Sequence, residues 1–260
     1  MRICLAQTDI VWEDKKANMR RCGELLREAK KEGAQLVVFP ELSLTGFTMN
    51  SSLAEATDGE TVSFFKAITG ELGLAAVFGF ACRIADRVTN RLCIADNGDI
   101  TAEYDKLHPF SYGGECAAYS SGNRIVTANT GGITTGLSVC YDLRFPEIYQ
   151  AMSDSCQLLL VSANWPDTRA YHWDTLIKAR AIENQCYFAG CNRCGNGGGL
   201  SYSGGSIVCS PSGEVIAAAE PYKEQLVFAD IGCEEVSRLR GGFPLKNDRR
   251  PELYRDFYAR

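Results

Sequence analysis

Gln35-Leu36-Val37-Val38-Phe39-Pro40-Glu41 is the stretch that decides the fold. Its apolar residues run without alternation for the length of a strand, which predicts a strand buried on both faces. Pro40 has no N–H to give a ladder and ends the run, leaving Glu41 as a carboxylate at a strand end. A second run of the same kind, Cys156-Gln157-Leu158-Leu159-Leu160-Val161, ends at Asn164-Trp165-Pro166.

The segments around the first run predict a strand over Arg2 to Gln7 and then an amphipathic helix. Asp14 is its N-cap, Met19, Cys22, Leu25, Leu26 and Ala29 recur at helical spacing, and Gly33 is its stop. A second helix is expected over Glu60 to Leu72. A strand meander follows over Leu74 to Lys106, with a turn at Asp96-Asn97-Gly98-Asp99. Past the second run, Trp173, Leu176, Ile177 and Ala181 mark a helix over Arg169 to Gln185. Ser210-Pro211-Ser212-Gly213 marks a hairpin between Val208 and Val215. The glycine cluster Gly195 to Gly199 precedes no helix start, so it reads as flexible loop and not as a phosphate-binding loop. The order of signals recurs after roughly 120 residues, which points to an internal pseudo-repeat. Two such halves bury their sheets against each other and carry helices outside. No linker separates them, so residues 1–235 read as one domain and 236–260 as a tail packing on it or on a partner subunit.

The chain has 260 residues, of which 45% are hydrophobic, enough for a core without disulfides or metals. A net charge of −5, with Lys and Arg spread along the chain, argues against a nucleic-acid surface. The opening apolar run is too short for a signal peptide, and the longest, near Leu74 to Cys82, is about half a membrane span; the expected compartment is the cytoplasm. There are 12 cysteines. Cys4, Cys82, Cys93, Cys156, Cys186 and Cys209 sit in strand-like runs, where a thiol acts as a small hydrophobe. Cys191-Asn192-Arg193-Cys194 is a lone CxxC with only two histidines in the chain, and it reads as structural before metal-binding or redox.

Three polar residues stand at three predicted strand ends, where α/β architectures gather function. Glu41 follows the first run, Lys106 closes the strand Ile100 to Tyr104, and Cys140 closes the strand Ile133 to Val139. Pro146 suits the first turn of a following helix. A cysteine on such a turn, beside a lysine, is expected to favour the thiolate. In a set without histidine the carboxylate is the natural proton acceptor.

The residues around these three resemble the nitrilase (carbon-nitrogen hydrolase) superfamily. Val38-Phe39-Pro40-Glu41-Leu42-Ser43-Leu44-Thr45-Gly46 looks like its first motif. Tyr104-Asp105-Lys106-Leu107-His108 with Gly114-Glu115 looks like the second, and Leu137-Ser138-Val139-Cys140-Tyr141-Asp142-Leu143-Arg144-Phe145-Pro146-Glu147 like the third. Ala163-Asn164-Trp165-Pro166, His172-Trp173, Ala179 to Asn184 and Asn192-Arg193 are similar to the amidase members, as are Phe243-Pro244 and Arg249 to Tyr254. The resemblance spans the chain in the family's order. It implies a four-layer α-β-β-α sandwich, with Cys140 as nucleophile, Glu41 as general base, Lys106 as oxyanion cation and Glu115 as supporting carboxylate. It also implies a homodimer or larger homo-oligomer and no metal or organic cofactor.

The omega-amidases, which release ammonia from short dicarboxylate monoamides, look nearest by motif. Such a substrate needs a cation for its remote carboxylate, and Arg144 is the candidate, against a simpler pairing with Asp142 and Glu147. Tyr141 and Trp165 are candidate pocket walls, against plain packing. N-carbamoyl hydrolysis and nitrile hydrolysis share the catalytic set and are the alternatives within the family. A glutamine amidotransferase subunit and a non-catalytic thiol-rich metal-binding protein are the alternatives outside it. One departure, Pro109-Phe110-Ser111-Tyr112 after His108, bears on substrate choice, because that loop borders the pocket in the family.

Overall fold

The structure is a computed structural model that describes residues 1–258. In chain order it contains β1 (Arg2–Gln7), α1 (Lys15–Lys31), β2 (Leu36–Val38), α2 (Glu60–Leu72), β3 (Ala75–Ile84), β4 (Arg87–Asp96) and β5 (Asp99–Asp105). The second half contains β6 (Thr127–Thr130), β7 (Ile133–Val139), α3 (Pro146–Met152), β8 (Leu158–Ala163), α4 (Ala170–Asn184) and β9 (Tyr187–Asn192). It closes with β10 (Cys194–Gly197), β11 (Leu200–Ser203), β12 (Ile207–Cys209), β13 (Val215–Ala218), β14 (Gln225–Asp230), α5 (Cys233–Gly242) and α6 (Pro251–Tyr258).

Two six-stranded sheets carry the fold, ordered β14-β1-β2-β3-β4-β5 and β13-β12-β9-β8-β7-β6. Each is built on a parallel triplet, β1-β2-β3 in one and β7-β8-β9 in the other, extended by antiparallel strands. The expected pseudo-repeat is therefore real, with β1-α1-β2-α2-β3 echoed by β7-α3-β8-α4-β9. The facing sides of the sheets meet in one core that includes Leu36, Val38, Leu137, Val139, Leu158 and Leu160. Val37 and Phe39 point the other way, against Leu25 and Leu26 of α1 and Phe65 of α2. Leu159 and Val161 likewise meet Tyr149 of α3 and Ile177 of α4. Helices on both outer faces make the α-β-β-α sandwich, and they explain why β2 is apolar throughout and β8 at every position but Ser162.

Local signals behave as expected. Asp14 accepts a hydrogen bond from Ala17 N at 2.9 Å and caps α1, while Gly33 takes a positive φ just past its end. Asn97 and Gly98 both have positive φ in the two-residue turn between β4 and β5. The flexible-loop expectation for Gly195 to Gly199 fails. That stretch is the hairpin β10–β11, with Gly197 paired to Leu200 and the turn made by Gly198 and Gly199 at φ 56° and 75°. Those angles suit a tight hairpin turn, and the missing side chains admit the Trp12 ring and the Arg193 guanidinium.

Residues 236–249 pack on the second half. Val236 of α5 joins the inter-sheet core. Arg240 reaches the carbonyls of Ser153 and Cys156 at 2.9 Å each, and Lys246 pairs with Asp154 at 3.0 Å. Among the described residues no helix is long and apolar enough to cross a membrane.

Candidate active site

The two central strands end side by side. Beyond β2 the chain turns sharply, with Leu42 at φ 46°, and lies on β3 through Ser43 N to Gly79 O (2.8 Å) and Gly79 N to Ser43 Oγ (2.9 Å). A Cβ on Gly79 would come within 2.7 Å of Leu42 N, so only glycine permits this approach. Beyond β7, Cys140 has φ 47° and opens a 3-10 turn through Arg144 that leads into α3, with Pro146 in its first turn. A non-glycine residue in this region costs about 1–3 kcal/mol and marks functional turns. Here it lifts the thiol out of the sheet ladder.

Glu41, Lys106 and Glu115 are buried together. Lys106 Nζ donates to Glu41 Oε1 at 2.9 Å and to Glu115 Oε2 at 2.8 Å, and lies 5.2 Å from the Phe47 ring centre. Burial works against the ammonium, but Glu41 and then Glu115 outweigh it and hold the Lys106 pKa above the ordinary lysine value. Lys106 therefore stays a cation. Burial and the Glu41 charge push Glu115 up, opposed by Lys106.

Cys140 stands half-buried, its thiol 3.9 Å from Asn164 O. Burial first, then the Glu41 carboxylate, push the thiol well above its ordinary value, and Lys106 only partly opposes them. This corrects the expectation of a thiolate: α3 starts six residues later, and a carboxylate is the stronger neighbour. A protonated thiol needs a base.

Two asparagines that no sequence argument singled out as site residues complete the set. Asn90 of β4 donates to Glu41 Oε1 at 2.8 Å and to Glu115 Oε1 at 3.0 Å. Asn164, at the end of β8, donates its N–H to Glu41 Oε2 at 2.9 Å and its side-chain amide to Glu41 O. The recurring strand-end pattern marked Asn164; nothing local marked Asn90.

A cavity opens onto Cys140 and Lys106, and Tyr141, Arg144 and Trp165 line it. Arg144 does not pair with Asp142. That carboxylate is buried and accepts from Tyr104 Oη (2.7 Å), His108 N (3.0 Å) and Val139 N (2.9 Å), with His108 Nδ1 at 2.7 Å. Arg144 instead stacks on Trp165, 4.7 Å from its ring centre. The hairpin β10–β11 adds Leu200 and Tyr202 to the wall, and the departing loop adds Phe110.

The carbon-nitrogen hydrolase family model matches residues 2–240. The chain belongs to the carbon-nitrogen hydrolase family. It is 34% identical over 249 residues to the omega-amidase YafV of Escherichia coli K12, covering 95% of this chain and 96% of that one. It is 34% identical to the 2-oxoglutaramate amidase of Bacillus subtilis, covering 96% and 98%. The crystal structure of XC1258 from Xanthomonas campestris, a CN-hydrolase superfamily protein with an arsenic adduct in its active site, superposes with a TM-score of 0.91 at 34% identity, covering 96% and 97%. This hydrolase is thus an amidohydrolase of the nitrilase sandwich type.

Proposed function

We propose that this hydrolase is an omega-amidase, releasing ammonia from a short dicarboxylate monoamide through a thioester on Cys140. The observation that carries the reaction is the shared anchoring of the Cys140 thiol and the Glu41 carboxylate on Asn164, with Lys106 on the other Glu41 oxygen. The relatives named for omega-amide substrates and the Arg144 guanidinium on the cavity wall support the substrate class.

Glu41 takes the thiol proton as Sγ bonds to the amide carbon. The oxyanion forms against Lys106 and the Tyr141 N–H, which lies in the first turn of the 3-10 segment and has no partner within it. Donors aimed at developing charge in this way contribute about 3 kcal/mol each. The C–N bond then breaks, and the proton held by Glu41 passes to nitrogen, so ammonia leaves. Water attacks the thioester as Glu41 takes its proton. The C–S bond breaks, the proton returns to sulfur, and a carboxylic acid departs. Lys106 holds charge throughout and transfers no proton, while Glu115 keeps it in place.

The test is ammonia release from succinamate, 2-oxoglutaramate, an N-carbamoyl amino acid and a simple nitrile, with mass spectrometry of the trapped acyl-enzyme. The monoamides should be the better substrates and the acyl group should sit on Cys140. Rapid turnover of the N-carbamoyl compound with neglect of both monoamides would overturn the substrate class.

A further inference from the structure

The cavity is charged unevenly along its depth. At the deep end one ammonium, Lys106, lies among two carboxylates, Glu41 and Glu115, so that end has no net positive charge. Two guanidiniums, Arg144 and Arg169, line the same cavity. Arg144 lies over Trp165, and 5.9 Å from the Tyr141 ring centre. Arg169 lies 5.4 Å from the Phe110 ring centre, and Phe110 meets Tyr141 with ring centres 4.9 Å apart. The Trp165 Nε1–H donates to Arg169 O at 2.8 Å, so the ring under one arginine is tied to the backbone of the other.

We propose that Arg169 acts with Arg144 as a paired-guanidinium seat for the carboxylate at the far end of the acyl chain, and that this pair sets the direction in which the substrate enters. The inference rests on the omega-amidase reading and names the residue that reading lacks. Two cations lining one cavity repel each other, and after burial Arg169 contributes to holding the Arg144 pKa below its usual value. An anion between them removes that repulsion. A planar carboxylate suits guanidinium forks, and stacking on aromatic faces leaves the in-plane N–H groups pointing sideways, although Arg144 Nη2 already lies 3.3 Å from His172 Nδ1. The carboxylate finds no such welcome beside Glu41 and Glu115, so the amide end is left to face Cys140.

The test compares succinamate with butyramide, a neutral amide of equal chain length, in wild type, Arg169→Gln and Arg169→Lys. Wild type should prefer succinamate. Arg169→Gln should raise KM for succinamate at least about tenfold, leave kcat within about twofold, and spare butyramide. Arg169→Lys, which keeps the charge and loses the fork, should fall between the two and carries the test should Arg169→Gln not fold. Equal losses on both amides with a lower Tm make Arg169 a structural residue and overturn the proposal. Preference for succinamate that survives Arg169→Gln overturns it and leaves the omega-amidase reading standing. A wild-type enzyme indifferent to the carboxylate overturns both.

Discussion

Glu41 and Asn164, 123 residues apart, follow the central strands of the two sheets and bond each other twice, Asn164 N to Glu41 Oε2 at 2.9 Å and Asn164 Nδ2 to Glu41 O. Pseudo-equivalent strand ends have thus diverged, one into a carboxylate and the other into the residue that orients it. Asn164→Ala keeps the backbone bond and loses the side-chain one. It should cost about 1–2 kcal/mol in urea denaturation and lower kcat about tenfold. Unchanged kinetics would mean that the backbone alone orients Glu41.

Charges around Cys140 act on its thiol in opposite directions, and this separates them experimentally. Glu41 raises the Cys140 pKa, so Glu41→Gln should lower it; Lys106 lowers it, so Lys106→Met should raise it further. The pH dependence of iodoacetamide labelling should therefore shift down in the first variant and up in the second. Shifts in one direction for both would mean that folding changes, and not charge, govern the thiol.

Turnover should fall in both variants despite those opposite shifts, by at least ~100-fold each. The double variant should be little worse than the poorer single one, because base and oxyanion donor act on the same step. Multiplicative losses would argue for independent roles. Cys140→Ala should abolish turnover with the far-UV circular dichroism spectrum unchanged.

Asp142, two positions beyond Cys140, holds His108, two positions beyond Lys106. It accepts from His108 N at 3.0 Å and Val139 N at 2.9 Å and so joins the two strand ends, while the His108 ring stacks on Phe145 at 3.9 Å. Asp142→Ala removes the shared acceptor of several buried donors and should destabilise by at least ~3 kcal/mol, read from the urea midpoint. His108→Phe keeps the stacking and loses one bond, and should cost less than half as much. Equal costs would place the clamp in the ring and not in the carboxylate.

Asn90 separates two buried carboxylates with a neutral donor. Asn90→Asp adds a third acid around one ammonium and should depress kcat by at least ~100-fold, while Asn90→Gln should retain more activity. A fully active Asn90→Asp enzyme would show that the amide is not needed to hold the pair.

Much of this molecule is written in local pattern. The apolar runs at Leu36 and Leu158, the cap at Asp14, the stop at Gly33 and the turn at Asn97-Gly98 depend on neighbours within a few residues, so periodicity and turn chemistry suffice to find them. The motifs around Glu41, Lys106 and Cys140 were equally legible. What only the tertiary structure decided depends on groups brought from far apart in the chain. Asn90 lies 49 residues from Glu41, and no spacing rule marks an asparagine inside a strand as the donor to two carboxylates. The hairpin at Gly195 to Gly199 takes its order partly from Trp12 and Arg193 packing against glycines that by composition suggest mobility. The protonation of Cys140 reversed between sequence and structure for the same reason. A lysine and a turn are visible in the sequence, but the balance of burial, Glu41 and Lys106 exists only once the two sheets have met.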